Sequence, residues 1–299
     1  MLFGRRAITS VTALAAAGAL TLTACASNKE TTAPTGSVSG TVTQDTSLAA
    51  LLPADIKSSG KLIVGVNPPY TPNEYLDPSG KVVGFDVDLL DATAKVLGLT
   101  TSYRQADFDK IIPAITAGTY NMGMSSFTDT KEREKSVDFT DYFSAGILWA
   151  SPSGKTVDPN NACGLSVAVQ TTTVEDTDDV PGKSKACVAA GKKPIKKVQF
   201  TSQDDATNAA VLGKVDAMSA DSPVTAYAIK QSSGKLQQAG DVFESAPYGW
   251  PVAKGSTLAQ ALQKALQKLI DDGTYDQICK KWGVQTGEIK TAGINGALS

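Results

Sequence analysis

The stretch SSFTDTKEREKSVDFT, residues 125–140, places several hydroxyl side chains close to an arginine. Ser126 and Thr128 follow the apolar, strand-like YNMGM, and Arg133 comes five residues after Thr128. A planar guanidinium can hold a carboxylate through two parallel charge-assisted hydrogen bonds, and nearby hydroxyl groups can add donors. The spacing therefore fits a site for an anionic group, although KEREK is also typical of a solvated helix face.

A segment in the other half of the chain repeats this arrangement. In AGTYNMGMSS, Gly118 ends a predicted helix and a strand delivers Ser126 eight residues later. In LGKVDAMSAD, Gly213 and Asp221 hold the corresponding places. Ligands of open α/β sheets bind at the carboxyl ends of strands, so the pair indicates two lobes that face one cleft. Asp221 would also serve well as the N-cap of the next predicted helix.

Short apolar strands alternate with amphipathic helices along most of the chain, which predicts an α/β protein with mostly parallel sheets. Predicted strands cover KLIVGV (61–66), YNMGMSS, GILWA (146–150), LSVAVQ (165–170) and VDAMSA. Predicted helices cover GFDVDLLDATAKVLGL, DFDKIIPAITAG, SQDDATNAAVLGK, SPVTAYAIKQ and a late segment with Leu258, Leu262, Ala265, Leu266 and Leu269 on one face. Asp86 and Asp88 are interpreted as acids at a helix start, stabilised by the macrodipole.

The 299-residue chain contains no histidine. This excludes a Ser-His-Asp triad, a Cys-His pair and a histidine-ligated zinc site. The net charge of −2 and the pI near 5.3 argue against nucleic acid as a partner. We therefore expect neither a metal nor a cofactor.

The N-terminus reads MLFGRRAITSVTALAAAGALTLTAC. Two arginines precede a run of apolar and small residues that is too short for a comfortable membrane span, which predicts a signal peptide over residues 1–24. LTAC, ending at Cys25, resembles the lipobox of bacterial lipoproteins; the alternative is an ordinary signal peptide with a chance cysteine. Residues 25–47 are rich in Ser, Thr and Gly and should form a flexible tether. We expect an exported protein, lipid-anchored to the outer face of the cell membrane.

The expected location outside the cell determines how the other three cysteines are interpreted. Cys163 and Cys187 are placed to close a loop of about 25 residues, and outside the cell this implies a disulfide that contributes on the order of 3 kcal/mol. Cys279 is left over and is expected to be a buried small hydrophobe.

Four segments carry a resemblance to a known family: GVNPPYTPNEYLDPSGKVVGFDVDLLDATAKVLGL, DFDKIIPAITAGTYNMGMSSFTDTKEREKSVDFTDYFSAG, VAVQTTTVEDT and LGKVDAMSADSPV. They resemble the polar amino-acid-binding proteins of bacterial ABC importers, the extracellular solute-binding proteins of family 3, over roughly residues 48–285. The resemblance implies a two-lobed fold, each lobe a mostly parallel sheet flanked by helices. It also implies closure on a free L-amino acid and delivery to a membrane permease with its ATPase.

The resemblance also implies the domain limits. Lobe one should comprise residues 48–147 and 246–290, lobe two should comprise residues 148–245, and residues 291–299 should form a tail. The hinge should lie where the chain passes between lobes, near 145–150 and 243–249. We expect a monomer, since the sequence shows no sign of oligomerisation.

Site residues carry over position by position. The resemblance implies that Arg133 binds the carboxylate of the amino acid with help from Thr128 and Ser126. Asp221 should bind the ammonium group. Thr173 should add donors where a helix begins; Thr172, just before it, stands where the family usually has glycine.

The remaining positions concern the side chain of the amino acid. Tyr70 and Phe108 match the two positions that sandwich it, although both could be core aromatics. Relatives that bind cationic amino acids often have aspartate at the position of Asn67, which argues against a dedicated lysine or arginine binder. Glu74 or Glu175 could restore the countercharge. Gln170 lies close enough in its motif to contact the ligand.

We therefore expect a receptor for a polar amino acid, with a glutamine- or glutamate-like cargo favoured. The alternative is an enzyme on the same fold, since cyclohexadienyl (prephenate or arogenate) dehydratases resemble this family. Such an enzyme would need an acid in the cleft, and Glu175 or Glu74 could supply it.

Overall fold

The computed structural model describes residues 42–298. The helices are α1 (Thr46–Ala49), α2 (Ala54–Ser59), α3 (Phe85–Val96), α4 (Phe108–Thr116), α5 (Val180–Ala189), α6 (Gln203–Val211), α7 (Ser222–Gln231), α8 (Thr257–Asp271) and α9 (Thr274–Trp282). The strands are β1 (Lys61–Val66), β2 (Tyr75–Leu76), β3 (Val82–Val83), β4 (Thr100–Gln105), β5 (Met122–Gly123), β6 (Val137–Pro152), β7 (Ser166–Gln170), β8 (Lys196–Phe200), β9 (Ala217–Asp221), β10 (Leu236–Ala253) and β11 (Gly293–Ile294).

The predicted signal peptide, Cys25 and most of the predicted tether lie outside the described residues. The tether was expected to reach residue 47, but α1 already begins at Thr46. Asp45 caps this helix, because its side chain accepts hydrogen bonds from the amides of Ser47 and Leu48 at 3.1 and 3.3 Å. The folded part therefore begins slightly earlier than expected.

The predicted α/β fold is confirmed. Strand β1 and helix α7 match their predicted ranges residue for residue. The other four predicted strands have different lengths. Strands β7 and β9 are each one residue shorter than predicted, β5 has only two residues, and GILWA belongs to the 16-residue β6. Strand β6 is long because it pairs antiparallel with β10 along almost its whole length.

Two parallel groups of strands are joined by this long pair. The order within residues 42–298 is β4-β1-β5-β10-β6-β9-β7-β8, with β11 paired to β6. Strands β1, β4 and β5 run parallel in one lobe, and β7, β8 and β9 run parallel in the other. Only β6 and β10 take part in both groups, so they carry the chain from lobe one to lobe two and back.

Each lobe has its own apolar core. The late amphipathic helix, α8, buries all five of the predicted apolar residues in lobe one. Cys279 is fully buried, as expected, and Cys163 and Cys187 form the expected disulfide in lobe two. Trp250, in lobe one, is also fully buried and stacks on Tyr142 with ring centroids 4.6 Å apart.

A search of residues 42–298 finds no helix that is long and apolar enough to cross a membrane.

Candidate functional site

A narrow cleft lies between the two lobes, at the carboxyl ends of their strands. Nine of the ten predicted site residues line it: Asn67, Tyr70, Phe108, Ser126, Thr128, Arg133, Gln170, Thr173 and Asp221. Ser125, Val174 and Glu175 complete the lining. The expectation of a shared cleft therefore matches the geometry.

Arg133 connects the two lobes. It begins a short 3-10 turn, and its Nη1 donates to the carbonyl of Thr128 at 2.8 Å. Its Nη2 donates to the carbonyl of Thr172 in lobe two at 2.9 Å. The guanidinium carbon lies 5.5 Å from the ring centroid of Phe108 and 5.6 Å from that of Phe127. A guanidinium has five N–H donors, so Arg133 retains donors for an anion in the cleft.

The aromatic wall beside Arg133 consists of two stacked rings. Phe108 is the first residue of α4, and its ring stacks on Phe127 with centroids 4.3 Å apart and an interplanar angle of 17°. Phe108 serves in both of the ways that the sequence allowed, since it lines the cleft and also packs in an apolar core cluster at 8% exposure. Phe127 was missed, although its place between Ser126 and Thr128 could have indicated it.

Asp221 ends β9 and stands at the N-cap position of α7. Its side chain points to Tyr70, whose hydroxyl donates to Oδ2 at 2.6 Å across the cleft. Burial raises the pKa of Asp221 to about 6, against the lowering effects of Tyr70, Tyr248 and Arg133. The carboxyl group is thus directed at the cleft and is largely ionised at neutral pH.

Two amide side chains meet across the cleft. Gln170, at the end of β7, donates through Nε2 to Oδ1 of Asn67 at 2.7 Å and to the carbonyl of Thr201 at 3.0 Å. Asn67 donates through Nδ2 to the carbonyl of Ala106 at 2.7 Å. Both predicted residues therefore line the cleft as a hydrogen-bonded pair.

The segment after β7 turns sharply before α5. Thr172 has a left-handed backbone, with φ +64°, and its N–H donates to Asp176 at 2.9 Å. Thr173 is buried and donates through its hydroxyl to the carbonyl of Gln170 at 2.9 Å. The chain then forms a π-helical turn, Glu175–Asp179, a type that is frequent at functional sites.

Glu175 is the most unusual acid of the cleft. It is 1% exposed, and its Oε1 has no hydrogen-bond partner among residues 42–298. Burial, followed by the nearby charge of Asp221, raises its pKa to about 8. Glu175 was considered as a possible countercharge from the sequence, but nothing in the sequence distinguished it from its neighbours Asp176 and Asp178.

The structure corrects the expected position of Glu74. This residue is fully buried, and the hydroxyl of Ser125 donates to its Oε1 at 2.5 Å. The chain folds back at this point, because the amide of Tyr70 donates to the carbonyl of Glu74 at 2.7 Å. Glu74 therefore lies behind the cleft wall and supports it, so it does not provide a countercharge at the cleft surface.

Ser126 lines the cleft, but its donors point away from it. Its amide donates to Oδ2 of Asp86 at 3.2 Å, and its hydroxyl donates to the same oxygen at 3.1 Å. Asp86 lies in the first turn of α3, as predicted, and it is fully buried there. In this arrangement the donors of Ser126 serve the support of the cleft.

Among residues 42–298, no group of three or more His, Cys, Asp or Glu side chains is placed to hold a metal ion. The ionisable groups that line the cleft include one guanidinium and two carboxyl groups, and they come from both lobes. A cleft of this kind, between lobes joined by two crossing strands, defines a two-lobed binding protein.

Comparison with known proteins identifies the family. The sequence profile of the bacterial extracellular solute-binding proteins, family 3, matches residues 62–285. The chain is 39% identical over 293 residues to the arginine-binding protein ArgT of Corynebacterium glutamicum, covering 97% of this chain and 96% of ArgT. It is 30% identical over 239 residues to the ABC transporter glutamine-binding protein GlnH of Bacillus subtilis, covering 77% and 83% of the two chains.

A solved structure agrees with these relatives. An ancestral arginine-binding protein bound to arginine superposes with a TM-score of 0.68 at 35% identity, over 75% of this chain and 98% of that one. The chain therefore belongs to the bacterial extracellular solute-binding proteins, family 3. It is a binding protein rather than an enzyme, and the dehydratase alternative is set aside because these relatives are binding proteins.

Proposed function

We propose that the protein captures a free amino acid with a positively charged side chain, arginine in the first place. The observation that carries the proposal is the buried Glu175, whose Oε1 has no hydrogen-bond partner among residues 42–298, in a cleft that also contains Arg133 and Asp221. The carboxylate of an amino acid pairs with Arg133, and its ammonium group pairs with Asp221. Glu175 is then the remaining carboxyl group of the cleft, and a cationic side chain of the ligand provides the positive charge that pairs with it. The arginine-binding relative and the arginine-bound neighbour support this cargo.

The other cleft residues complete the binding site. Thr128 and Thr173 lie beside Arg133 and Glu175, where they add hydrogen bonds to the carboxylate end of the amino acid. Tyr70 and Phe108 flank its side chain.

Glutamine or glutamate is the second candidate. Because the pKa of Glu175 is about 8, this group is mostly protonated at pH 7 and can donate to the side-chain oxygen of such a ligand. The glutamine-binding relative supports this reading.

Two measurements separate these cargoes. Thermal unfolding against the full set of amino acids tests binding, since a ligand at a hundred times its dissociation constant adds about 2.7 kcal/mol of stability. Calorimetry in buffers of different ionisation enthalpy then counts protons. Arginine should release nearly one proton at pH 7, because Glu175 must ionise beside a guanidinium, whereas glutamine should release none. Stabilisation by glutamine alone would overturn the arginine assignment.

Binding works by closure of the lobes about the two crossing strands. Hydrogen bonds join the lobes at three places in the cleft, between Tyr70 and Asp221, between Gln170 and Asn67 and between Arg133 and Thr172. A ligand that touches both lobes stabilises the closed form. The hinge lies in the predicted segments 145–150 and 243–249, and register shifts between β6 and β10 on both sides of Phe243 support this position.

Delivery follows capture. The proposed partners are a membrane permease and its ATPase, and the receptor acts as a monomer tethered by a lipid on Cys25. The lipobox sequence supports the anchor, and the extracellular family supports export. Replacing Cys25 with alanine should release the protein from the membrane fraction; continued membrane association of Cys25→Ala would contradict the anchor.

A further inference from the structure

A strained turn stands at the start of the loop that carries Arg133. Ser126 has φ +50°, in the left-handed region, and it is 4% exposed. Residues other than glycine adopt this conformation at an energetic cost, so it persists only where the surrounding contacts hold it. The left-handed conformation of Ser126 must therefore be maintained by its contacts with the surrounding residues.

One buried carboxyl group holds the turn from behind. Oδ2 of Asp86 accepts the amide of Ser126 at 3.2 Å, its hydroxyl at 3.1 Å and the hydroxyl of Tyr142 at 2.8 Å. Asp86 is fully buried, and its Oδ1 has no hydrogen-bond partner within the part of the chain that the structure describes. The three hydrogen bonds that the carboxyl group of Asp86 accepts thus converge on one oxygen, and two of the three come from Ser126.

A second acid and an amide extend this support. Glu74 accepts the hydroxyl of Ser125 at 2.5 Å. Asn73 donates through Nδ2 to the hydroxyl oxygen of Ser126 at 2.7 Å. The hydroxyl of Ser126 is therefore held both as a donor, by Asp86, and as an acceptor, by Asn73.

The turn determines where the next two residues lie. The ring of Phe127 packs beneath the guanidinium of Arg133, and the carbonyl of Thr128 accepts its Nη1. A change in the backbone at Ser126 would displace both groups at once. Arg133 would then lose the contacts that fix its guanidinium in the cleft.

We propose that Asp86 is a positioning residue for solute binding, which holds Ser126 in the left-handed conformation and thereby fixes Arg133 at the cleft. Asp86 acts from behind the cleft wall, through the backbone of the loop. The inference rests on the proposed function only in assigning the carboxylate of the amino acid to Arg133, and it holds for any amino acid that the protein binds.

The test combines three substitutions with one control. Asp86→Ala should weaken binding at least about 30-fold, because the left-handed turn loses its main support. Asp86→Asn should stay within about 5-fold of wild type, since an amide oxygen still accepts the amide of Ser126. Adding Ser126→Gly to Asp86→Ala should recover most of the loss, because glycine adopts the left-handed conformation without strain.

Asp88→Ala is the matched control. Asp88 lies two residues further along α3, and it contacts Lys281 and the indole of Trp282 at 2.8 Å, away from the turn. This variant should change stability without changing affinity. If Asp86 had a purely structural role, adding Ser126→Gly to Asp86→Ala would restore no binding.

The measurement uses calorimetry with whichever amino acid stabilises the wild-type protein, so a wrong cargo and a wrong role for Asp86 give different results. Failure of wild type to bind arginine would overturn the cargo alone. Unchanged affinity of Asp86→Ala, or no recovery in the double variant, would overturn the role of Asp86. If Asp86→Ala does not fold, the affinities of Ser126→Ala and Ser126→Gly test the proposal instead. Both variants lack the hydroxyl, but only alanine is strained in the left-handed conformation. Equal affinities would therefore contradict the proposal.

Discussion

Two residues other than glycine adopt a left-handed backbone beside the cleft, one in each lobe. Ser126 in lobe one has φ +50° and is buried, whereas Thr172 in lobe two has φ +64° and is exposed. Arg133 connects the two turns, because it donates to the carbonyls of Thr128 and Thr172. The two turns thus hold the same guanidinium, but they are built in different ways.

The difference lies in what supports each turn. Ser126 is held by Asp86, and burial raises the pKa of that acid to about 7. Thr172 is held by Asp176; burial works against its ionisation, but Lys197, the amide of Thr172 and other donors outweigh burial and lower its pKa. The turn in lobe one therefore depends on a buried acid whose ionised form is disfavoured, whereas the turn in lobe two depends on a buried acid whose ionised form Lys197 and other donors stabilise.

Removing the group that both turns hold should have the largest effect. Arg133→Ala should weaken amino-acid binding by more than about 100-fold, because the carboxylate of the ligand loses its charged partner. Calorimetry measures the affinity, and circular dichroism checks that the fold is intact. Lys135→Ala, from the same 3-10 turn, is the control and should bind normally. Retained affinity in Arg133→Ala would refute the carboxylate assignment.

The charge contributed by lobe two can be tested separately. Glu175→Gln should lower the affinity for arginine about 30-fold or more, because a buried guanidinium loses its countercharge. Binding of glutamine should change much less. Asp178→Asn removes a charge from the same π-helical turn at an exposed position and should leave both affinities unchanged. Equal losses for arginine and glutamine in Glu175→Gln would show that the carboxyl group does not select the cargo.

Stability should respond to pH through the buried acids whose pKa values are raised, among them Asp129 in lobe one. Asp129, next to Thr128, is 1% exposed, and burial followed by the charge of Asp141 raises its pKa from 3.8 to about 8. The folded protein keeps a proton that the unfolded chain releases above about pH 4, so the free energy of unfolding should fall as pH rises from about 4 to 8. Glu134 adds to this effect, and Lys131 opposes it.

Asp129→Asn is the variant that isolates this group. The amide can donate to Asp141 at every pH, so the variant should be more stable than wild type at pH 8 by on the order of 2 kcal/mol. Urea denaturation at pH 5 and pH 8 measures the difference. Two results together would contradict the assignment. The free energy of unfolding of the wild-type protein would rise from pH 5 to pH 8, and Asp129→Asn would show the same pH dependence.

The smallest effect concerns the strain of the exposed turn. Thr172→Gly should stabilise the protein by about 0.5 to 1 kcal/mol, because a β-branched residue is strained at positive φ. Ser126→Gly should bring no such gain, since it also removes the hydroxyl and the hydrogen bonds that this hydroxyl makes with Asp86 and Asn73. Denaturant unfolding of the two variants compares them directly. A larger gain from Ser126→Gly would reverse the comparison between the two turns.

Local patterns in the sequence predicted the elements well where one pattern applied along the whole element. Strand β1 and helix α7 match because an apolar run and a proline near a helix start define their limits. The cleft residues followed from motif order and spacing. Strand β6 was predicted too short, since its length comes from pairing with the distant β10.

The positions of the acids could not be predicted in this way. Asp86 and Asp88 lie on the same helix start, yet Asp86 is buried beneath Ser126 and Asp88 pairs with Lys281. Glu74 and Glu175 were equal candidates for the countercharge. The backbone turn at Glu74 directs its side chain away from the cleft, whereas the turn at Glu175 directs its side chain into the cleft. Such differences depend on long-range packing, which a local sequence pattern does not encode.

The two crossing strands have a practical consequence for the design of an optical sensor. The backbone of β10 changes register on both sides of Phe243, and neighbouring Glu244 has φ +51°. Val242, within the first of these register shifts, is 48% exposed. A dye attached through Val242→Cys would therefore sit beside the proposed hinge yet outside the cleft, so its emission should report capture of the amino acid without competing for the binding site.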